Sequence, residues 1–424
     1  MPPVRQLAWQ LGITPGTVAR AYKLAADEGL VQTGVGRGTY VSGQALPEPP
    51  PEPLIQTPVK DVLDFRAVRP PDLGQDAAIR AIMGDLWRRG AHGYTDYPSP
   101  ETDRPAREAV AQWIGADRAG RLSAEDVVLG LGAQNAVMMA LQTVLHGPSP
   151  VILTETLAYP GVRHAARLLR AQLIGVEMDT EGLRPDRLEE ALRRHGGQVL
   201  LTSAEVHSPT TIRTSLARRQ EIAALARRYQ LQIIEDDCHC ITRPDTPSYR
   251  AISPDRAWYV SSLTKSVSAA LRFGYAVAPQ GQGEAARQVA QSTFYGMPQP
   301  ILDIAAELLR SGAAERIRRD VTQAVADRVR LAVNVLGQWD ISWRPDAPYL
   351  WLKLPQGWRG SSFASACEAV RIRIKAADEF ALPDGAAPHA VRLTTNATIP
   401  RDAFDGALRR MSQMLARPPA SVDL

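Results

Sequence analysis

Cysteine is nearly missing from this 424-residue chain, occurring only as Cys238, Cys240 and Cys367. So small and odd a number excludes the disulfide framework of small secreted domains, and reduced thiols are expected. Long apolar runs are lacking too, which argues against a helical membrane protein. The opening residues MPPVRQLAWQLG have neither the basic region, the unbroken apolar stretch nor the cleavage site of a secretory signal, so a cytoplasmic location is expected. Strong charge of one sign is absent: the formal net charge is +4, which permits nucleic-acid binding without demanding it. Lysine is also scarce, appearing only as Lys23, Lys60, Lys265, Lys353 and Lys375 in a chain rich in arginine. Chemistry that needs a primary amine therefore has few candidates.

Apolar residues at 45% and charged residues at 22% are ordinary globular usage, which leaves neither a disordered nor a fibrous reading. Two or three domains are expected at this length. Residues 1–43 carry short helical patterns and a glycine-rich alternating stretch, and ALPEPPPEPLIQTP then breaks all periodicity, giving a semi-rigid Pro-rich linker over 44–60. From 61 to 300, short apolar runs (VVLGL, VILT, VLLT, LQIIE, WYVSS, FGYAVA) alternate with amphipathic helical stretches, including helices from Gln134 to Leu145 and from about Tyr159 to Leu169. Such runs suit strands covered on both faces, so a large α/β domain with a mixed, mostly parallel sheet is expected. Residues 301–424 change to long Arg-rich helices followed by YLWLKL and VRLTTNA, a smaller C-terminal α+β domain.

In the first segment Val4, Leu7, Ala8 and Leu11, and then Val18, Ala21, Tyr22 and Ala25, fall at one-face helical spacing around Gly12 and the N-cap candidate Thr14. Gly29 can end the second helix, and LVQTGVGRGTYV reads as two strands around a tip that carries Arg37. A helix-turn-helix with a wing would present Thr14, Thr17 and Arg20 to a major groove, with Arg5 and Arg37 at phosphates or a minor groove. The plain alternative is a helical hairpin that serves only packing. The stretch VRQLAWQLGITPGTVARAYKLAADEGLVQTGVGRGTYV resembles the GntR-type winged helix, and the resemblance implies a further helix before its first residue, so the module reads as incomplete at its N-terminus.

In WYVSSLTKSVSAALRFGYAVAP a β-rich run ends in small hydroxyl residues, then Lys265, then Arg272. A lysine just past a strand end lies where ligands collect in such sheets, and an amine can form a Schiff base where a guanidinium cannot. LQIIEDDCHC puts Asp236 directly after an apolar strand, a costly place for a carboxylate unless it faces a positive ligand, an ion pair or a helix N-terminus. VVLGLGAQNAVMMAL is strand, glycine turn and helix, with the Ala133 and Gln134 amides at a helix start suited to phosphate. A metal site in DDCHC is disfavoured, because consecutive strand residues point to opposite faces and no second cluster completes a coordination shell.

Together GLGAQNA, ETLAYPG, VHSPTT, IIEDDCHC and SSLTKSVSAALRFGY resemble, in order and spacing, the fold-type I pyridoxal-phosphate enzymes, most of all the MocR-type regulators. The resemblance implies that Lys265 binds the aldehyde of pyridoxal 5'-phosphate as a Schiff base and that Asp236 pairs with the pyridine nitrogen. It implies that Ser262, Arg272 and the Ala133–Gln134 amides hold the phosphate, that Tyr159 stacks on the ring, and that Tyr94 reaches the phosphate of a partner in a homodimer. Arg392 matches the arginine that grips a substrate carboxylate, its plain alternative being a strand-end salt bridge. The chain departs from the family at Ser208, Thr211 and Cys238, where many relatives have asparagine, glycine and tyrosine. Ser208 and Cys238 thus stand at the cofactor's phenolate oxygen as poorer hydrogen-bond donors. The glycine of the usual GYxDPxG stretch is also lost, in YTDYPSPETD.

Three functions compete on these residues. The first is a transcription regulator that senses pyridoxal phosphate or an amino compound and, as a homodimer, binds double-stranded DNA with repeated half-sites. The second is a working class I/II aminotransferase with a vestigial N-terminal segment, and the third a regulator whose pocket no longer takes a cofactor.

Overall fold

The structure, a computed structural model, describes residues 1–27, 30–34, 38–41, 59–90, 94–382 and 385–418. The chain divides into two units, Met1–Thr57 with Pro419–Leu424, and Pro58–Pro418. Most of the Pro-rich linker, residues 44–58, lies outside the described residues, as do Gly29 and the tip residue Arg37.

In the first unit, helices Val4–Leu11 and Pro15–Asp27 meet at Gly12, whose left-handed backbone (φ 65°) lets its amide reach back to Ala8 and Trp9 carbonyls. The Thr14 hydroxyl caps the second helix by accepting from the Thr17 amide at 3.2 Å. Ala8, Val18 and Tyr22 form the centre of the hairpin, flanked by Val4, Leu7 and Ile13. Leu11 and Ala21, expected on the inner faces, are exposed, because the two short helices touch over a single small patch. Strands Val31–Gly34 and Gly38–Val41 follow, antiparallel with Val31 opposite Val41.

The second unit is built on a seven-stranded sheet. Its spatial order is Val127–Gly130, Gly274–Val277, Ala257–Ser262, Gln232–Asp236, Val199–Thr202, Val151–Glu155 and Gln172–Val176. Pairing is parallel from Ala257–Ser262 to Gln172–Val176, and only Gly274–Val277 runs against its neighbours. The six apolar runs read from the sequence are all strands of this sheet. The seventh, QLIGV, escaped notice because it is an edge strand, half-exposed and interrupted by Gly175, with no continuous apolar run. Cores form on both faces, one around Leu129, Phe273, Leu302 and Val321, the other around Met139, Ile152, Ile234 and Trp258. No helix among the described residues is long and apolar enough to cross a membrane.

A four-stranded antiparallel sheet, in the order Ile341–Ser342, Tyr349–Lys353, Ala390–Thr394, Lys375–Ala376, carries the C-terminal part. The 24-residue helix Ala313–Leu336 joins it to the larger body, with Ile317, Val321, Val325 and Val329 in one core and Ala332 and Leu336 in the other. This smaller core also takes residues from far upstream. Leu63–Asp64 pairs in parallel with Ile372–Arg373, and the fully buried Phe65 stacks on Phe404 at 5.2 Å. Chain from either side of the large sheet therefore closes one core. Phe65→Ala is expected to cost about 3–5 kcal/mol, read as a lower urea midpoint with an unchanged slope. An unaltered midpoint would show that the upstream segment adds nothing to the fold.

Candidate functional site

The carboxyl ends of the parallel strands meet in one cleft, and strand alternation sorts the two aspartates at the end of LQIIEDD. Asp237 turns into a buried ion network. Its Oδ2 accepts from Arg118 Nη2 at 2.9 Å and from the Tyr259 hydroxyl at 2.7 Å. Arg118 also bridges Glu205 and Glu235, and the fully buried Arg219 donates to Glu205 at 2.8 Å. Burial pushes the Asp237 carboxyl up to about 7, against the pull of Arg118 and with the push of Glu235.

Asp236 turns the other way, into a cleft that is lined by Glu155, Tyr159, Thr202, His207 and Ser208 as well. Its Oδ1 accepts the Cys238 amide at 3.1 Å, and among the described residues no cation forms a salt bridge with it. Burial raises its pKa, while hydrogen bonds from Cys238 and the Lys265 charge draw it down. Lys265, just past the adjacent strand, acts on Asp236 and on Cys238 alike. Its Nζ donates to the Val68 carbonyl at 3.1 Å. Burial holds the Lys265 pKa below its usual value; the Cys238 thiol opposes this, and Arg392, Arg272 and Arg69 add to it. An amine so placed loses its proton more readily than a surface lysine.

At one end of the cleft, the helix Ala133–Val144 starts at Gly132 without a side-chain cap. Arg272, in left-handed backbone at φ 48°, lays its guanidinium against this start and donates to the Leu131 carbonyl at 3.1 Å. The approach depends on two glycines. A Cβ on Gly132 would stand 2.6 Å from Arg272 Nη2, and one on Gly274 would stand 2.3 Å from the Gly132 carbonyl carbon. Ser262 ends its strand opposite Gly274 and accepts the Thr264 amide through Oγ at 3.4 Å. A helix N-terminus, an arginine and a hydroxyl with glycine-wide access suit a phosphate.

Tyr159 precedes the helix Pro160–Leu168 and meets His239 edge to face, with ring centroids 6.4 Å apart. Burial, then Cys238 and Asp236, push its phenol up in pKa, opposed by Arg392 and Arg272. Gly161 leaves room for Tyr159 and for Gln134, whose amide nitrogen donates to the Gly161 carbonyl at 3.1 Å.

Arg392 sits mid-strand, buried between the rings of Tyr349 (5.1 Å) and Phe380 (4.8 Å). It donates to Ser208 Oγ at 3.0 Å and to the Arg66 carbonyl at 2.7 Å. Among the described residues it forms no salt bridge with a carboxylate, and its Nε has no partner. The strand-end salt bridge considered from the sequence is not what the structure contains.

Asp236, Tyr159 and Ser208 thus line one cleft, Arg392 bonds to Ser208 and Lys265 acts on Asp236, while Arg272, Ser262, Ala133 and Gln134 lie around the helix start at Gly132. Tyr94 stands apart, exposed, its hydroxyl on Asp303 at 3.1 Å. In the first unit Arg5, Thr14, Thr17 and Arg20 are all exposed, and the two threonine hydroxyls lie 2.9 Å apart. Among the described residues no three His, Cys, Asp or Glu side chains group as metal ligands.

Sequence reasoning passed over three participants. His239 was weighed only as a metal ligand, yet its buried ring lies between Tyr159 and Tyr349; burial keeps it neutral, reinforced by Lys265 and Arg392. The Val68 carbonyl carries no sequence signal at all. The Glu205–Glu235–Arg118–Arg219 network had one, since Glu235 stands in an apolar run and demands a buried cation. Thr211 holds φ at 66° where the resembled family has glycine, so the turn survives the substitution at a cost of about 1–2 kcal/mol. Cys238 is the heavier departure. Burial and the Asp236 carboxylate push its thiol up in pKa, leaving a weak donor where a phenol would stand.

Residues 60–411 match the family Aminotransferase class I and II, and residues 1–41 match Bacterial regulatory proteins, gntR family. The chain is 22% identical to the HTH-type transcriptional regulator YdeF of Bacillus subtilis over 98% of its own length and 89% of that protein's. It is 27% identical to the HTH-type pyridoxine biosynthesis transcriptional regulator PdxR of Corynebacterium glutamicum, over 80% of this chain and 74% of the relative. The fold is shared with the α-aminoadipate aminotransferase LysN of Thermus thermophilus, solved with N-(5'-phosphopyridoxyl)-L-leucine: TM-score 0.74 and 24% identity over 84% of this chain and 92% of that one. The chain belongs to the aminotransferase class I and II family, in the MocR-type arrangement that joins it to a gntR-type helix-turn-helix segment.

Proposed function

We propose that this transcription regulator holds pyridoxal 5'-phosphate on Lys265 and responds to the cofactor or to an amino compound that meets it there. The carrying observation is the pair of Asp236, half-buried at its strand end with no salt-bridging cation among the described residues, and Lys265, whose amine follows the adjacent strand and acts on that carboxylate. A pyridinium nitrogen would give Asp236 the charge it lacks, and Arg272 with the uncapped helix start fits the phosphate. Bound there, the cofactor supplies an electrophilic carbonyl carbon conjugated to an electron-withdrawing ring. Lys265, desolvated and among arginines, gives up its proton more readily than a surface lysine and so offers that carbon its nitrogen. Tyr159 would cover one ring face, and Ser208 stands where the phenolate oxygen would lie. Arg392, held between two rings and in no salt bridge among the described residues, suits the carboxylate of an amino acid.

Transamination would use the same Lys265 and Arg392. Cys238 tells against it, because its thiol cannot hydrogen-bond a phenolate as tyrosine does. The exposed Trp87, Tyr97 and Tyr295 support a homodimer, Tyr97 and Tyr295 already in ring contact at 5.5 Å. A dimer would carry two helix-turn-helix segments to repeated half-sites on double-stranded DNA, with Arg5, Thr14, Thr17 and Arg20 free to meet it.

An absorbance titration with pyridoxal phosphate is expected to give a saturable visible band in wild type and none in Lys265→Ala. A colourless wild type refutes the reading. Asp236→Ala is expected to weaken cofactor binding by about 3 kcal/mol, on the order of 100-fold in Kd. Gly274→Ala is expected to weaken it at least about tenfold by pushing the Gly132 turn, and the helix start it leads into, off the neighbouring strand; unchanged affinity would mean that the phosphate lies elsewhere. For DNA, Arg20→Ala is expected to cost about 1–3 kcal/mol of affinity for the chain's own upstream sequence, measured by mobility shift at fixed salt, and an equal shift in the variant would remove Arg20 from the interface.

A further inference from the structure

Five successive carbonyls in the segment 64–68 are each taken by a donor, four of them by side chains. Asp64 O accepts from Asn396 Nδ2 at 2.9 Å, Phe65 O from the Thr394 amide at 2.9 Å, and Ala67 O from Thr394 Oγ1 at 3.2 Å. Between and beyond them, Arg66 O accepts from Arg392 Nη2 at 2.7 Å and Val68 O from Lys265 Nζ at 3.1 Å. One strap thus touches both groups that would engage a ligand, two residues apart. In sequence it also lies just after the Pro-rich linker, on whose far side is the helix-turn-helix segment.

We propose that strap 64–68 reports the state of Lys265 and Arg392 to the DNA-binding segment, an inference that rests on Lys265 carrying pyridoxal phosphate. A free Lys265 amine has hydrogens to give to Val68 O. When its nitrogen joins the cofactor's carbonyl carbon, both amine hydrogens depart with the carbonyl oxygen as water, and Val68 O loses its donor. When an amino compound takes that carbon in turn, the C=N bond to Lys265 breaks, one to the incoming nitrogen forms, and two hydrogens return to Lys265. Val68 O is then bonded again. A carboxylate on the same compound occupies Arg392, in competition with Arg66 O. The two ends of an amino carboxylate therefore act on two carbonyls of one strap, and a simple amine or a simple carboxylate acts on only one. A carbonyl without its donor regains a partner only by turning to water, which moves the strap and with it the end of the linker.

Amide hydrogen exchange of peptides covering 62–70 in the full chain, with absorbance recorded on the same samples, tests this. Saturating pyridoxal phosphate is expected to speed exchange of the strap several-fold in wild type while the sheet around the cofactor slows. In Lys265→Ala the strap is expected to exchange fast from the outset and to ignore the cofactor. Thr394→Val removes one strap anchor and leaves Lys265 and Arg392 intact. It is expected to keep the visible band but to lose most of the effect of pyridoxal phosphate on DNA mobility shift. A wild type that shows the band with no change in strap exchange overturns the strap while sparing the cofactor reading, as does a Thr394→Val whose DNA response is full. If no band forms in wild type, the cofactor reading falls and takes the strap with it.

Discussion

Asp236 lies at the end of a parallel strand with the Cys238 amide on one oxygen and, among the described residues, no cation in salt-bridge contact, and the chemistry of the cleft depends on that carboxylate. A half-buried charge in this state is costly unless something positive comes to it or it takes a proton. The fold withholds the obvious solution. Arg118 and Arg219 serve Asp237, Glu205 and Glu235 on the opposite side of the strand, and Lys265 is directed to a backbone carbonyl. What remains is a position that a pyridinium nitrogen would fill.

The ion network beneath has the complementary role. Its three carboxylates and two deeply buried arginines come from the helix Ala116–Ala119, the helix Leu216–Arg228, the end of the strand Gln232–Asp236 and the loop after Val199–Thr202. Removing one member would leave another charge buried and unpaired, so the network fixes these strand ends more than it adds stability. Arg344 extends the grip from the C-terminal sheet by donating to the Glu205 carbonyl, and Tyr349 by donating to the Val206 and His207 carbonyls. Segment 205–208, which leads to Ser208, is thereby held from the part of the chain that also carries Arg392.

Much of this was legible in the sequence because periodicity and strand ends carry strong local signals. VVLGL, VILT, VLLT, LQIIE, WYVSS and FGYAVA became strands, for each is an apolar run that a two-sided cover alone can bury. QLIGV did not announce itself, since an edge strand needs no such run. Leu11 and Ala21 were misread as buried because helical spacing defines a face without saying how much of it a partner covers. His239 was weighed only as a ligand within a local cluster, for nothing in the sequence reveals that Tyr159 and Tyr349 close on it from positions far upstream and downstream.

The sequence alone determined the composition of the site: a rare lysine after a strand, an aspartate at the end of an apolar run, a glycine turn before a helix, and an arginine in VRLTTNA. These are choices of residue type at local positions, and local physics is enough to read them. Tertiary structure alone decided which side of the strand Asp236 faces relative to Asp237, that Arg392 sits between the rings of Tyr349 and Phe380, and that the carbonyls of 64–68 reach both Lys265 and Arg392. Those facts depend on backbone carbonyls and on contacts across hundreds of residues, and a carbonyl is the one functional group that every residue shares, so no sequence pattern can single it out.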